Sequence, residues 1–201
     1  RGPAGPERPS LLAFGLLGLR ALPVSGYGPA DAAVAALRAG SVNAIRRPLD
    51  AAFADRVAGL RNDGFVPLFV NASGTPTGPD IPDLPDFLSV LRQQRPNAAL
   101  SPLAATWHAV AAAASVKTAL LLPLLTPPAS VARWRHAAET CAASPAIRHE
   151  AADNRDILLS GAECMSFYTA LMPDVNVILG LRRWLAFNLP RWRDSASPAK
   201  P

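Results

Sequence analysis

Four residues in a row, Ser25, Gly26, Tyr27 and Gly28, place a hydroxyl, a phenol and the open backbone of two glycines directly before a proline and an alanine-rich helical pattern. Main-chain N–H groups at such a turn point outward with the positive end of a helix dipole, which suits a carboxylate or a phosphate. Eighteen residues or so further along, Asn43 and Arg46 leave a second apolar run. An arginine there can grip a carboxylate with two parallel hydrogen bonds, or it can simply be solvated, as Arg47 beside it illustrates. The same glycine pattern also serves a crossover that holds no ligand at all.

The elements that must position these residues follow from the pattern on either side. Leu19, Ala21, Leu22 and Val24 predict a short strand. Pro29 fits a first helical position, Ala30, Ala33, Val34 and Leu37 recur at helical spacing, and Gly40 closes the helix. Val42 to Ile45 predicts a second strand, completing a β-turn-α-β unit. Asn43 and Arg46 would then exit at its C-terminal end, where open α/β sheets place their ligands.

The alternation continues. Pro48 to Leu60 predicts a helix with Leu49, Ala52, Phe53, Val57 and Leu60 on one side, and Phe65 to Val70 predicts a strand. Helices are expected over Leu11–Leu17, 103–114, 128–142, 145–152, 161–171 and 174–188, with further strands at 116–122 and 157–159. Strands alternating with helices predict an α/β sheet covered by helices.

The order of these pieces resembles the substrate-binding family of tripartite tricarboxylate transporters. The resemblance is carried by Tyr27-Gly28, by Gly40-Ser41-Val42, by Pro79-Asp80-Ile81-Pro82 leading into a helix, and by the strand, proline turn and long helix of LLLPLLTPPASVARWRHAAETCAASPAIRHEAA with its break at Ser144-Pro145. It spans about residues 10 to 188. It implies an α/β, periplasmic-binding-protein-like (type II) architecture of two lobes, truncated at the N-terminus because the family's first glycine-rich ligand loop has no match. On that reading residues 1–8 form a disordered leader, 9–105 one lobe, 106–189 the C-terminal part of the other, and 190–201 a basic tail.

The resemblance also implies a function: an extracytoplasmic, periplasmic receptor that holds a small organic carboxylate at Ser25, Gly26, Tyr27, Gly28, Asn43 and Arg46 and hands it to transporter membrane subunits. Neither cofactor nor metal is expected. In the family Asn43 is commonly an aspartate and Arg46 a small or apolar residue, which favours the alternative of a receptor fold that has lost its ligand and serves as an interaction or structural protein. A lobe lacking its first strands would leave a sheet edge uncovered and invite self-association.

Composition bounds the remaining classes. Half of the 201 residues are hydrophobic, enough for a core, and the 21 prolines cluster in loops and termini, so wholesale disorder is not expected. The formal charge of +5 is concentrated after residue 181, where Arg182, Arg183, Arg191, Arg193 and Lys200 face only Asp194. Cations gathered at one end do not make a nucleic-acid groove, which needs them spread over a folded face. Two readings of that end remain: a terminal helix docking by Leu181, Trp184, Leu185 and Asn188, or a membrane-surface patch of arginine and tryptophan.

Catalytic signatures are missing. There is no G-x-S-x-G elbow, no phosphate-binding G-x-x-x-x-G-K and no dinucleotide G-x-G-x-x-G, and His149-Glu150 lacks a second histidine four residues on. Asp80, Asp83 and Asp86 flank prolines and read as caps and turn formers. Cys141 and Cys164 are expected as free, buried thiols. The apolar stretch 98–125 contains Pro102, His108, Lys117 and Pro123, which argues against a membrane-spanning helix, and no signal peptide is seen at Arg1.

Overall fold

A computed structural model describes residues 7–27, 30–48, 50, 52–71, 84–154 and 156–195. The expected leader, apart from Glu7 and Arg8, and the Pro79-Asp80-Ile81-Pro82 segment lie outside the described residues. Ten helices are present among those described: α1 (Arg8–Leu16), α2 (Ala30–Arg38), α3 (Phe53–Asn62), α4 (Phe87–Gln94), α5 (Pro96–Ala99), α6 (Pro102–Ser115), α7 (Pro128–Ala143), α8 (Pro145–Asp153), α9 (Gly161–Leu171) and α10 (Val175–Ser195).

Local chemistry explains their ends. Gly40 adopts φ +72°, a left-handed conformation that glycine tolerates without strain, and Ser41 N–H donates to the Ala36 carbonyl at 2.9 Å, closing α2. Asp86 caps α4, its Oδ1 accepting from Ser89 N–H at 3.0 Å, and Ser101 caps α6 ahead of Pro102. The Ser89 hydroxyl, donating to Asp86, is the main reason that its carboxyl titrates below the usual range; burial, the next largest influence, works against it, and the backbone N–H groups of Ser89 and Leu88 and the charge of Arg92 assist. Asp86→Ala is expected to lower stability by about 1 kcal/mol at neutral pH. Because the folded-state value is depressed, this contribution is present above the ordinary aspartate value of about 3.9 and disappears as pH falls through the lowered one. Urea melts of both proteins at neutral and acid pH should therefore converge in acid.

The core is helical. Leu12, Ala13 and Leu16 of α1, Phe87 and Leu91 of α4, and Ala104, Trp107 and Ala111 of α6 form one buried cluster, with Trp184 of α10 packed against it. Helix α6 is the hub, touching α1, α5, α9 and α10. Trp107 is fully buried, its ring 4.4 Å from Phe87, and its Nε1–H donates to the Pro9 carbonyl at 3.1 Å. Thr106, equally buried, puts its hydroxyl between the carbonyls of Pro102 and Val177 and so ties α6 to α10. A smaller cluster gathers Phe53 and Val57 of α3 with Leu84 and Val70. Helices α7 and α8 bury no side chain.

The α/β, two-lobe periplasmic-binding-protein architecture is overturned: the described residues are predominantly helical, and no sheet exists among them. Among the described residues one isolated bridge joins Val70 to Asp86 in parallel. Each longer run expected as a strand is present as a non-helical segment, at 19–27, 41–48, 65–69 and 116–123. Part of the physical reason lies in Pro23 and Pro67, which sit inside two of those runs. Proline has no N–H to give a ladder, and inside a sheet it is confined to edges and bulges. Among the described residues there is accordingly no sheet edge to be left uncovered.

Two further expectations change. The last helix does not stop at 188 but runs through Pro190 to Ser195, so the segment expected as a tail begins inside α10. Cys141 and Cys164 are free but exposed, because α7 and α9 have little packed over them.

Candidate functional site

The non-helical segments converge on one open groove of about 3400 Å³. Ser25, Gly26 and Tyr27 line it just ahead of α2, and Asn43 and Arg46 line it from the segment that follows the helix. Five of the six expected site residues are thus among the many that line this broad groove, with no contact between the two segments established by that alone; Gly28 lies outside the described residues. Gly26 holds φ +107° with nothing within 4 Å of where a Cβ would stand, so its backbone is both left-handed and open to the groove.

The electrostatics are mixed. Arg20, Arg46, Arg47, Lys117 and Arg135 supply positive charge to the lining. Against them stand Glu7, Asp50 and Asp156, and two of these acids are already engaged, Asp50 by Arg56 and Asp156 by Lys117. Arg20, Arg46 and Arg135 form no ion pair among the described residues. Arg47 is half-buried, and its guanidinium titrates below its ordinary value, first through burial and then through repulsion by Arg56, with Asp31 pulling the other way. Asp31 lies in the first turn of α2, where it already complements the helix dipole.

No family model, curated protein or solved structure matches the chain.

Sequence reasoning missed the apolar side chains of the groove wall. Leu22, Val24, Val66 and Leu68 were expected inside a sheet, and all four are exposed on the lining. That these runs are apolar was legible; the side each residue would face was not. It also missed the ion pair that ties the Lys117 segment to Asp156, because the partners are far apart in sequence and no local spacing announces them.

Elsewhere the surface offers little chemistry. Among the described residues no three His, Cys, Asp or Glu side chains gather into a metal site. His149 sits 3.6 Å from Asp153 on an exposed helical turn of α8. No helix is long and apolar enough to cross a membrane among the described residues. At the C-terminal end the tryptophans turn inward: Trp192 is buried, donates from Nε1 to the Ala21 carbonyl at 3.3 Å and meets the edge of Trp184 at 5.3 Å between ring centres. Leu181, Trp184, Leu185 and Asn188 are the half-buried side of α10, while Arg182 and Arg183 are exposed and Arg191 lies over the Phe187 ring.

Proposed function

We propose that this chain is a non-catalytic binding protein for an organic carboxylate, held by the Ser25-Gly26-Tyr27 turn, Asn43 and Arg46. The observation that carries the reading is that these five residues, drawn from two separate segments, line a common groove in which Arg46 is exposed and has no ion pair among the described residues. An extracytoplasmic receptor that delivers its ligand to transporter membrane subunits is the role that the resemblance implies for such a protein. The hinged closure of two lobes does not carry over, because the sheet-based lobes are absent.

A thermal-shift and calorimetry panel of dicarboxylates, tricarboxylates, aromatic acids and amino acids tests this. At least one carboxylate is expected to raise the melting temperature, since a ligand at a hundred times its Kd stabilises the folded state by about 2.7 kcal/mol. Arg46→Ala is expected to remove the effect while leaving the melting temperature of the ligand-free protein unchanged. Silence across the whole panel would sink the reading.

A second reading, an interaction protein without a small ligand, is favoured by one observation. Leu120, Leu121, Leu124 and Leu125 are between 65% and 98% exposed along a single segment, a contiguous apolar surface of the kind that marks contact sites. Concentration-dependent association that Leu121→Lys and Leu124→Lys reverse, in a protein that ignores every carboxylate, would establish it.

A further inference from the structure

The leucine segment ahead of α7 ends in a turn whose side chains and charge together select a partner. The Thr126 N–H and the Thr126 hydroxyl both donate to the Pro123 carbonyl, at 3.0 and 2.8 Å, so the turn is closed by its own hydrogen bonds. Leu124 and Leu125, at its tip, are 98% and 91% exposed. Pro123, Pro127 and Pro128 have no N–H and that of Thr126 is used, so from 123 to 128 only Leu124 and Leu125 bring a donor that needs a further partner. Such a tip enters an apolar boundary with little backbone left to desolvate.

The charge beside it has one sign. Between Asp86 and Glu139 the sequence contains no acidic residue. Arg133 and Arg135 of α7 are exposed and form no ion pair among the described residues, whereas Lys117 is held by Asp156. Trp134 stands between the two arginines and is half exposed. At 1.5 Å per residue these three lie about 7–11 Å along α7 from its first residue. That matches the depth of about 5–10 Å to which interfacial segments sink into a bilayer surface.

A second copy seated on the same patch by two-fold symmetry would set Arg133 and Arg135 against the same arginines of its partner, with no acid from this span to offset them. An anionic lipid surface meets both requirements, hydrocarbon for the leucines and negative headgroups for the arginines, with tryptophan at the boundary between them. The tryptophans of the C-terminal end, where the sequence suggested a membrane-surface patch, are turned inward instead.

We infer that the Leu120–Leu125 segment and the first turns of α7 dock on an anionic lipid surface, the leucines at the acyl boundary and Arg133, Trp134 and Arg135 among the headgroups. This rests on the interaction reading of the leucine segment, gives it a partner, and uses no residue of the carboxylate site.

Cosedimentation of the full chain with vesicles tests it, using phosphatidylcholine alone and phosphatidylcholine with about one third phosphatidylserine. Binding to the anionic vesicles is expected to be about tenfold tighter and to weaken when salt rises from about 0.1 M to about 0.5 M. Replacing Leu124 and Leu125 together by serine, at exposed positions that leave the circular dichroism spectrum intact, should weaken binding to anionic vesicles about tenfold. Arg133→Gln with Arg135→Gln should erase the preference for phosphatidylserine. Anionic vesicles should also shift tryptophan emission to the blue, and Trp134→Phe should remove the shift. Equal binding to both vesicles, or binding lost with Arg182→Gln and Arg183→Gln but not with the α7 pair, would overturn the inference. Self-association without lipid that the leucine substitutions reverse, in a protein that binds no vesicle, would overturn it in favour of a second copy and leave the interaction reading standing. Neither vesicle binding nor association would overturn both.

Discussion

Trp107→Ala is expected to lower the unfolding free energy by about 3–5 kcal/mol, as much as many domains of this size can lose and stay folded. Three separate contributions disappear together. The indole is fully buried in the cluster that joins α1, α4 and α6, so its removal leaves a cavity that rigid helices close only in part. The aromatic chain from Phe14 through Phe69 and Phe87 loses its last ring, at 4.4 Å from Phe87. The Pro9 carbonyl loses the N–H at 3.1 Å that satisfies it in the interior. Trp107→Phe helps to separate the causes: it keeps an aromatic ring and most of the volume but drops the hydrogen bond, for an expected loss of about 1–3 kcal/mol. Urea denaturation followed by far-ultraviolet circular dichroism measures both. A Trp107→Ala protein as stable as the parent would show that this cluster is not the core.

Leu91→Ala is expected to cost about 2–5 kcal/mol, whereas Leu68→Ser is expected to stay within about 0.5 kcal/mol of the parent. The contrast is informative because both residues stand in strongly apolar runs, FVPLFV and FLSVL. Leu91 is fully buried between α1, α4 and α6, and Leu68 is 55% exposed on the groove wall. A core made of the non-helical runs would reverse the order of the two effects. Thermal and urea melts of the two variants side by side decide between a helical core and that alternative.

Much of the helical structure could be read directly. The positions of α6, α7, α8 and α9 follow from proline or serine starts and from 3.6-residue periodicity, both of which act over a few residues. Asp86 was legible as a cap for the same reason: its partner, Ser89, is three residues away. Strands are different. A run such as FVPLFV states that the chain can extend, but the sheet that it would join is a matter of partners found elsewhere, and Pro67 sits where a ladder needs a donor. The expectation of an α/β fold came from treating five such runs as if pairing followed from composition.

The candidate site divides along the same line. That Ser25, Gly26 and Tyr27 form a glycine turn ahead of a helix was determined by local sequence, and so was the presence of arginine at 46. That Asn43 and Arg46 share a groove with that turn, that Asp50 and Asp156 are already taken by Arg56 and Lys117, and that Leu22, Val24, Val66 and Leu68 face the opening were decided by the tertiary structure alone. Caps, turns and helical faces depend on neighbours a few residues away, which the order of residues specifies directly. Burial, ion pairing and the wall of a groove depend on which distant segments the packing around Trp107 brings together, and no local pattern encodes that choice.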